Sequence, residues 1–301
     1  MSLLRKARVA AAESDRWRRA QHAGRRYAGV GAVLGVLSGG LLFAPAQWLA
    51  DGLRQASDGR LLLAEARGSL WNGSAVLVLT GGAGSQDASA LPGRLQWQLR
   101  PHWQGLRLQA RQDCCLNGDL QLLLQPGWGG YSVVLGAPPP AAGLPSTANT
   151  GIAAAPNAPL LGHWPAAWLA GLGTPWNTLQ LGGMLQLASP GFTLQSVQGR
   201  LRLQGGLALE LRGVSSRVST LPTLGSYRLS LQGPGAGGEA ATLQLHTLDG
   251  ALRLSGSGHW ANAKLRFRGD AQAAEGQAPA LSNLLNIIGR RQGALSVISI
   301  G

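Results

Sequence analysis

Residues 200–211 read RLRLQGGLALEL. Leucine stands at 201, 203, 207, 209 and 211, and one parity survives the Gly205-Gly206 step. A period of two places alternate side chains on opposite faces of an extended chain, whereas a helix needs spacings of three and four. The stretch therefore predicts a strand with one leucine face and one Arg/Gln/Glu face. Working outward, the same alternation recurs at Leu95, Trp97 and Leu99, at Leu106 and Leu108, at Leu120, Leu122 and Leu124, and at Leu179, Leu181, Leu185 and Leu187. It continues through Tyr227, Leu229 and Leu231, Leu243 and Leu245, Leu252 and Leu254, and Leu265 and Phe267. Short Gly/Asn/Asp/Pro connections between such runs mark antiparallel meanders. About a dozen strands are expected, in a twisted or curled sheet with one wet face.

Composition narrows the function. The chain has 301 residues and a net charge of +13, but only 13% charged residues, and lysine occurs just at Lys6 and Lys264. Residues 1–27 hold eight Arg/Lys against Glu13 and Asp15, which leaves +6 there and +7 over the other 274 residues. The later arginines alternate with leucine as the solvated face of strands. They do not interleave with aromatics on one element, as a nucleic-acid surface would. No nucleic-acid partner is expected.

Residues 27–50, YAGVGAVLGVLSGGLLFAPAQWLA, carry no charge. About 20 apolar residues in a helix cross a hydrocarbon core of ~30 Å. Tyr27 and Trp48 stand near the two ends, and Arg25 and Arg26 precede the run, so the basic side faces the cytoplasm. Ala44-Pro45-Ala46 also fits the small-x-small pattern of a cleaved signal peptide. The long basic segment and long apolar run favour an uncleaved anchor in the bacterial inner membrane, with the bulk of the chain periplasmic. Gly31, Gly35 and Gly39 share one helix face, a geometry that lets two membrane helices approach closely.

The expected organisation is a basic cytoplasmic tail at 1–26, an anchor at 27–49, a β-rich first half at 50–136, a charge-free Pro/Ala/Gly linker at 137–161, and a β-rich second half at 162–301. Each half opens on a short apolar segment with Trp, at 46–53 and 163–173, read either as a weak internal repeat or as two amphipathic helices that cap sheet ends. A short helix is expected at 279–291, where Pro279 precedes a Ser282 N-cap and Leu281, Leu284, Leu285 and Ile288 share a face. A final strand, ALSVISIG, ends the chain.

Cys114 and Cys115 are adjacent in the turn-rich RQDCCLNGDL. A vicinal disulfide, two thiols and links to other chains are all open, and the vicinal disulfide as a structural turn is the favoured reading. No CxxC, HExxH, GxxxxGK[ST] or GxSxG pattern occurs. The five histidines are isolated, and the acidic residues do not pair in a way suited to acid/base work. No enzyme activity, metal or cofactor is expected.

The segment Gly68-Ser69-Leu70-Trp71-Asn72-Gly73 raises three readings: a site, a glycosylation sequon and a turn. Asn72-Gly73 favours a type I′ hairpin turn, with Trp71 packed beside it. This motif, with Trp168–Leu179, Leu248–Gly258 and Leu281–Arg291, in order behind a basic tail and one span, resembles the type II secretion system protein N family. The resemblance implies a non-enzymatic inner-membrane component of the machine that exports folded periplasmic proteins, with other secretion subunits as partners. It also implies a body similar to AsmA-like, groove-forming β proteins, some of which handle lipids, so a lipid in a β-groove is the alternative. The linker leaves open how far one groove could run.

Overall fold

A computed structural model describes residues 31–127, 129–136, 158–197, 200–234, 240–261 and 264–300. Two compact units result, Met1–Pro45 and Ala46–Gly301. In the first, residues 31–42 are helical (α1). The helix stops there, and residues 47–49 belong to the next helix, α2 (Gln47–Ala56). Of the expected anchor at 27–49, the first four residues lie outside the described residues, 31–42 form α1, and Trp48 sits in an amphipathic helix of the second unit. Among the described residues no helix is long and apolar enough to cross a membrane.

The second unit is one antiparallel sheet of sixteen strands. The first half holds β1 (Leu61–Gly68), β2 (Asn72–Thr80), β3 (Ala88–Ala90), β4 (Leu95–His102), β5 (Gly105–Arg111), β6 (Leu120–Gly127) and β7 (Gly130–Gly136). Then come β8 (Leu160–Pro165), a 3-10 helix at Ala166–Leu172, α3 (Trp176–Leu179), β9 (Leu181–Val197) and β10 (Arg200–Ser216). The chain continues through β11 (Gly225–Gln232), β12 (Ala241–Gly250), β13 (Leu252–Ala261), β14 (Lys264–Ala273), α4 (Ala278–Ile288), β15 (Arg290–Gln292) and β16 (Leu295–Ile300). Strand order is β1-β2-β4-β5-β6-β7-β9-β10-β11-β12-β13-β14-β16-β15, with β3 on β2 and β8 on β9.

The sheet does not stop at the linker. β7 pairs directly with β9, from Gly130 against Val197 to Leu135 against Phe192. Leu160 and Leu161, expected at the end of the linker, open β8, which pairs the earlier part of β9. The 17-residue β9 thus receives β8 and β7 in turn along one edge and β10 along the other. The handover sits at a bulge. Gly206 faces Gly191 but Ala208 faces Ala188, so β9 holds one extra residue. Pro190, which has no N–H, falls in that gap, a position where a strand tolerates proline. Buried Ser189 stabilises it by donating to the Gly206 carbonyl at 2.7 Å and accepting from the Gly191 N–H at 3.1 Å. The extra residue shifts the leucine parity from 185 and 187 to Phe192 and Leu194.

Antiparallel meandering sorts the connections onto two ends. The turns β1–β2, β4–β5, β6–β7, β9–β10, β11–β12 and β13–β14 lie at one end, here the tip end. The connections β2–β4, β5–β6, β10–β11, β12–β13 and β14–β16 lie at the other. The larger core occupies that opposite end: Leu281, Leu284 and Leu285 of α4 pack with Leu185, Val214, Tyr227 and Leu252 of the sheet. A smaller core sets Leu49 and Leu53 of α2 against Leu63, Ala75 and Trp97. α4 begins after Gln277 with Pro279 in its first turn, and Ser282 donates to the Pro279 carbonyl instead of capping the helix. Buried Ser296 closes its other end by donating to the Leu285 carbonyl at 2.6 Å. The 163–173 segment is strand and 3-10 helix, not an amphipathic α-helix.

Candidate functional site

Three constructions bring the singled-out residues into place. The first is the GSLWNG corner. Asn72 and Gly73 are the first residues of β2 and neither has a positive φ, so the expected type I′ turn is not formed. The reversal is Ser69-Leu70-Trp71. Gly68 turns the chain at φ +89, where a Cβ would lie 2.6 Å from the Asn72 carbonyl oxygen. Ser69 closes the loop: its N–H donates to the Asn72 carbonyl at 2.9 Å, and its hydroxyl accepts from the Asn72 N–H at 3.1 Å. Gly73 serves another purpose. A Cβ there would meet the Trp97 ring at 2.5 Å, so the missing side chain is the space the ring fills. Trp97, 2% exposed, donates its indole N–H to the Leu70 carbonyl at 3.1 Å. The Trp71 carbonyl accepts from Leu99 at 2.7 Å, and its side chain is half-buried.

The second is the cysteine loop. Cys114 and Cys115 form a vicinal disulfide. Cys115 is buried, and its carbonyl accepts from the His163 N–H at 2.7 Å, while Asn117 donates to the Leu161 carbonyl at 2.9 Å. The β5–β6 connection is thereby an additional strip beside β8, and it joins the first half to the second. Gly162 lets it in, because a Cβ there would lie 2.7 Å from the Cys115 oxygen.

The third is a strap. The 3-10 helix and α3 cross to β2 and β3: Trp168 donates to the Ser89 carbonyl at 3.0 Å, and Asn177 Nδ2 donates to both Asp87 oxygens at 3.2 Å. Gly171 presses its Cα against the Leu79 carbonyl and Ser89 N–H, where a Cβ would not fit. Beside the strap lies an open cleft of ≈ 690 Å³, lined by Asp87, Ser89, Asn177, Gln180, Ser215 and Arg217 among others. Among the described residues no group of three His, Cys, Asp or Glu could hold a metal ion.

A family model, type II secretion system (T2SS) protein N, matches residues 59–297. The chain belongs to the type II secretion system protein N family. No curated protein and no solved structure matches it. The matched span runs from just before β1 into β16, so family membership is a property of the whole sheet and not of one motif. All three constructions fall inside it. Gly31, Gly35 and Gly39 lie outside it on α1, where a Cβ at any of the three would meet nothing within 4 Å among the described residues.

Some residues escaped sequence reasoning. Glu210, on β10, accepts from Arg228 Nε at 2.6 Å and Arg212 Nε at 2.7 Å. Burial pushes its carboxyl up, but the two guanidiniums outweigh that and hold it below its usual value of 4.5. Arg228 and Arg212 are therefore paired, where alternation alone read them as solvated. Burial, with Asp249 nearby, pushes the Tyr227 phenol well up, and it donates to the Leu252 carbonyl at 3.0 Å. Asp87 and Asn177 stand ninety residues apart, a separation at which no local pattern reports a contact.

Proposed function

We propose that this type II secretion component is a bitopic inner-membrane protein whose sheet lies in the periplasm and supports export of folded proteins through contacts with other secretion subunits. The match of the family model across nearly the whole sheet carries the secretion role. The topology rests on the uncharged run from Tyr27 and the arginines before it. On the described part of that run, Val33, Leu34, Val36, Leu37, Leu41 and Leu42 are all exposed. A helix apolar on every side has lipid as its natural solvent. The Gly31/Gly35/Gly39 face is the place for a neighbouring helix, which disulfide trapping at introduced cysteines tests directly. The protein works by contact: the GSLWNG corner and the cysteine loop are structural joints, and no catalytic role is assigned to them.

Deleting the gene and assaying two properties of the same strain tests the reading. Folded enzymes should vanish from the medium while outer-membrane permeability stays normal. The reverse pattern sinks it.

A lipid-handling role is the second reading, favoured by one observation. Leu106, Leu124, Val133, Leu194 and Leu203 stand opposite one another on successive strands, are half-buried, and belong to neither core cluster. Mass spectrometry of organic extracts from the purified full chain should then recover stoichiometric phospholipid. Extracts free of lipid leave the apolar row for protein partners.

A further inference from the structure

The two ends of the sheet differ in what they expose. Among the described residues of the second unit the most exposed large hydrophobic side chains are Trp103 at 84%, Trp48 at 56%, Tyr131 at 53% and Ile300 at 53%, and all four belong to the tip end. Those elsewhere, Met184, Ile287 and Leu295, reach only 38–42%. Trp103 is the apex of the β4–β5 hairpin, beside the His102 ring at 5.7 Å. Directly behind it Arg100 and Arg107 face each other across the two strands, both exposed. Like charges in that position repel, and among the described residues no carboxylate pairs with either. Among the described residues Asp58, Asp87, Asp113, Asp119, Asp249 and Glu275 sit at the opposite end, and Asp51, Glu65, Glu210 and Asp270 lie along α2, β1, β10 and β14 between the two.

The chain also enters the sheet unit at the tip end. The Ala46 N–H donates to the carbonyl of Gly68, the last residue of β1, at 3.1 Å. Strand β4 is two places from β1 and β7 is five. At ~4.8 Å per strand, Trp103 and Tyr131 stand ~10 and ~24 Å across the sheet from that entry point, and because Gly68 is level with Trp97 both lie about six residues, ~20 Å, farther along the strands, so the rim runs obliquely from the entry corner to the hairpin apices.

We propose that the tip end is a membrane-facing rim, in which Trp48, Trp103 and Tyr131 enter the interface of an anionic bilayer while Arg100 and Arg107 engage its phosphate headgroups. Aromatic side chains with an apolar body and a polar edge favour that zone. Arginines near an anionic leaflet add attraction that salt screens. The proposal rests on the anchor reading above, because an anchor that leaves the bilayer just before Ala46 delivers this end to the surface. It adds that the sheet stands on the membrane instead of hanging free on its tether.

Nitroxide labels on three variants of the full chain, each with one introduced cysteine, test it, with Cys114 and Cys115 kept oxidised. Gln104→Cys reports the rim, Glu275→Cys the opposite end and Val36→Cys the anchor. The protein is reconstituted in phosphatidylethanolamine/phosphatidylglycerol vesicles, and accessibility to oxygen and to a water-soluble nickel chelate is compared. The label at 104 should be severalfold less accessible to nickel than the label at 275, and Arg100→Gln with Arg107→Gln should abolish the difference. A label at 104 as water-exposed as that at 275, with 36 in hydrocarbon, overturns the rim, keeps the anchor and leaves that end to a protein partner. Labels at 36 and 104 both in water overturn the two together. Protection at 104 with 36 in water upholds the rim and removes the anchor.

Discussion

Gly73 and Trp97 are one unit at the residue scale. The ring of Trp97 rests where a Gly73 side chain would be, and its N–H holds the Leu70 carbonyl of the corner. Gly73→Ala should therefore destabilise the sheet unit by ~1–3 kcal/mol, the range for forcing extra atoms into a packed site. Trp97→Ala should cost about 3–5 kcal/mol through the cavity it leaves. Denaturant midpoints measure both, and the double variant should cost less than the sum, since the alanine gains the room the ring vacates. Strict additivity would mean that the glycine is needed for the backbone alone. The dipeptide Asn72-Gly73 misleads for the same reason. As a local signal it spells a turn, but this glycine is reserved for a ring that arrives 24 residues later, and Gly68 with Ser69 makes the reversal in its place.

Strand pairs carry the electrostatics at the element scale. Glu210 binds β10 to β11 through Arg228 and gathers Arg212 from its own strand. Its carboxyl lies below the ordinary value when folded, so the stability it contributes is full above the unfolded carboxyl's pKa and is lost as pH falls through the folded one. The thermal midpoint of the wild-type chain should drop more steeply than that of Glu210→Gln as the solution is taken from neutral to below pH 4.5. At neutral pH the variant should be less stable by about 1–2 kcal/mol, the scale of a charge-assisted hydrogen bond. Parallel acid profiles would assign the acid sensitivity to other carboxylates. The elements themselves were largely legible, since alternating leucines mark β4, β5, β10, β11, β12 and β13. What alternation could not convey was the Pro190 bulge, because one inserted residue looks like the end of one strand and the start of another. Short β3 and β15, with three residues each, are too brief to show any period.

At the scale of the whole molecule, the strap and the cysteine loop tie residues far apart in sequence. Asn177→Ala removes both hydrogen bonds to Asp87 and should raise amide exchange in β3 and the 3-10 helix while leaving β13 and β14 as protected as before. Exchange that rises evenly across the sheet would show the strap to be part of the global unit. The strap was not readable beforehand, because polar contacts across ninety residues leave no periodic trace; of the cysteine loop the vicinal disulfide was the favoured reading, but its seat beside β8 was not. The linker was readable in composition, but its meaning was not. The proline- and alanine-rich stretch divides the sequence into two β-rich halves and leaves open how far one groove could run, whereas β7 against β9 makes one sheet of both sides.

That pairing has a practical consequence for handling the chain. The covalent link between β7 and β8 is redundant with the six residue pairs of β7 on β9 and with the strip at Cys115–Asn117 beside β8. A protease site placed between Pro140 and Ala155 should thus yield, after digestion, two pieces that migrate together on a sizing column and part only on denaturation. The same spot should accept an epitope or a fluorescent domain without unseating the sheet, and the two pieces expressed separately should find each other.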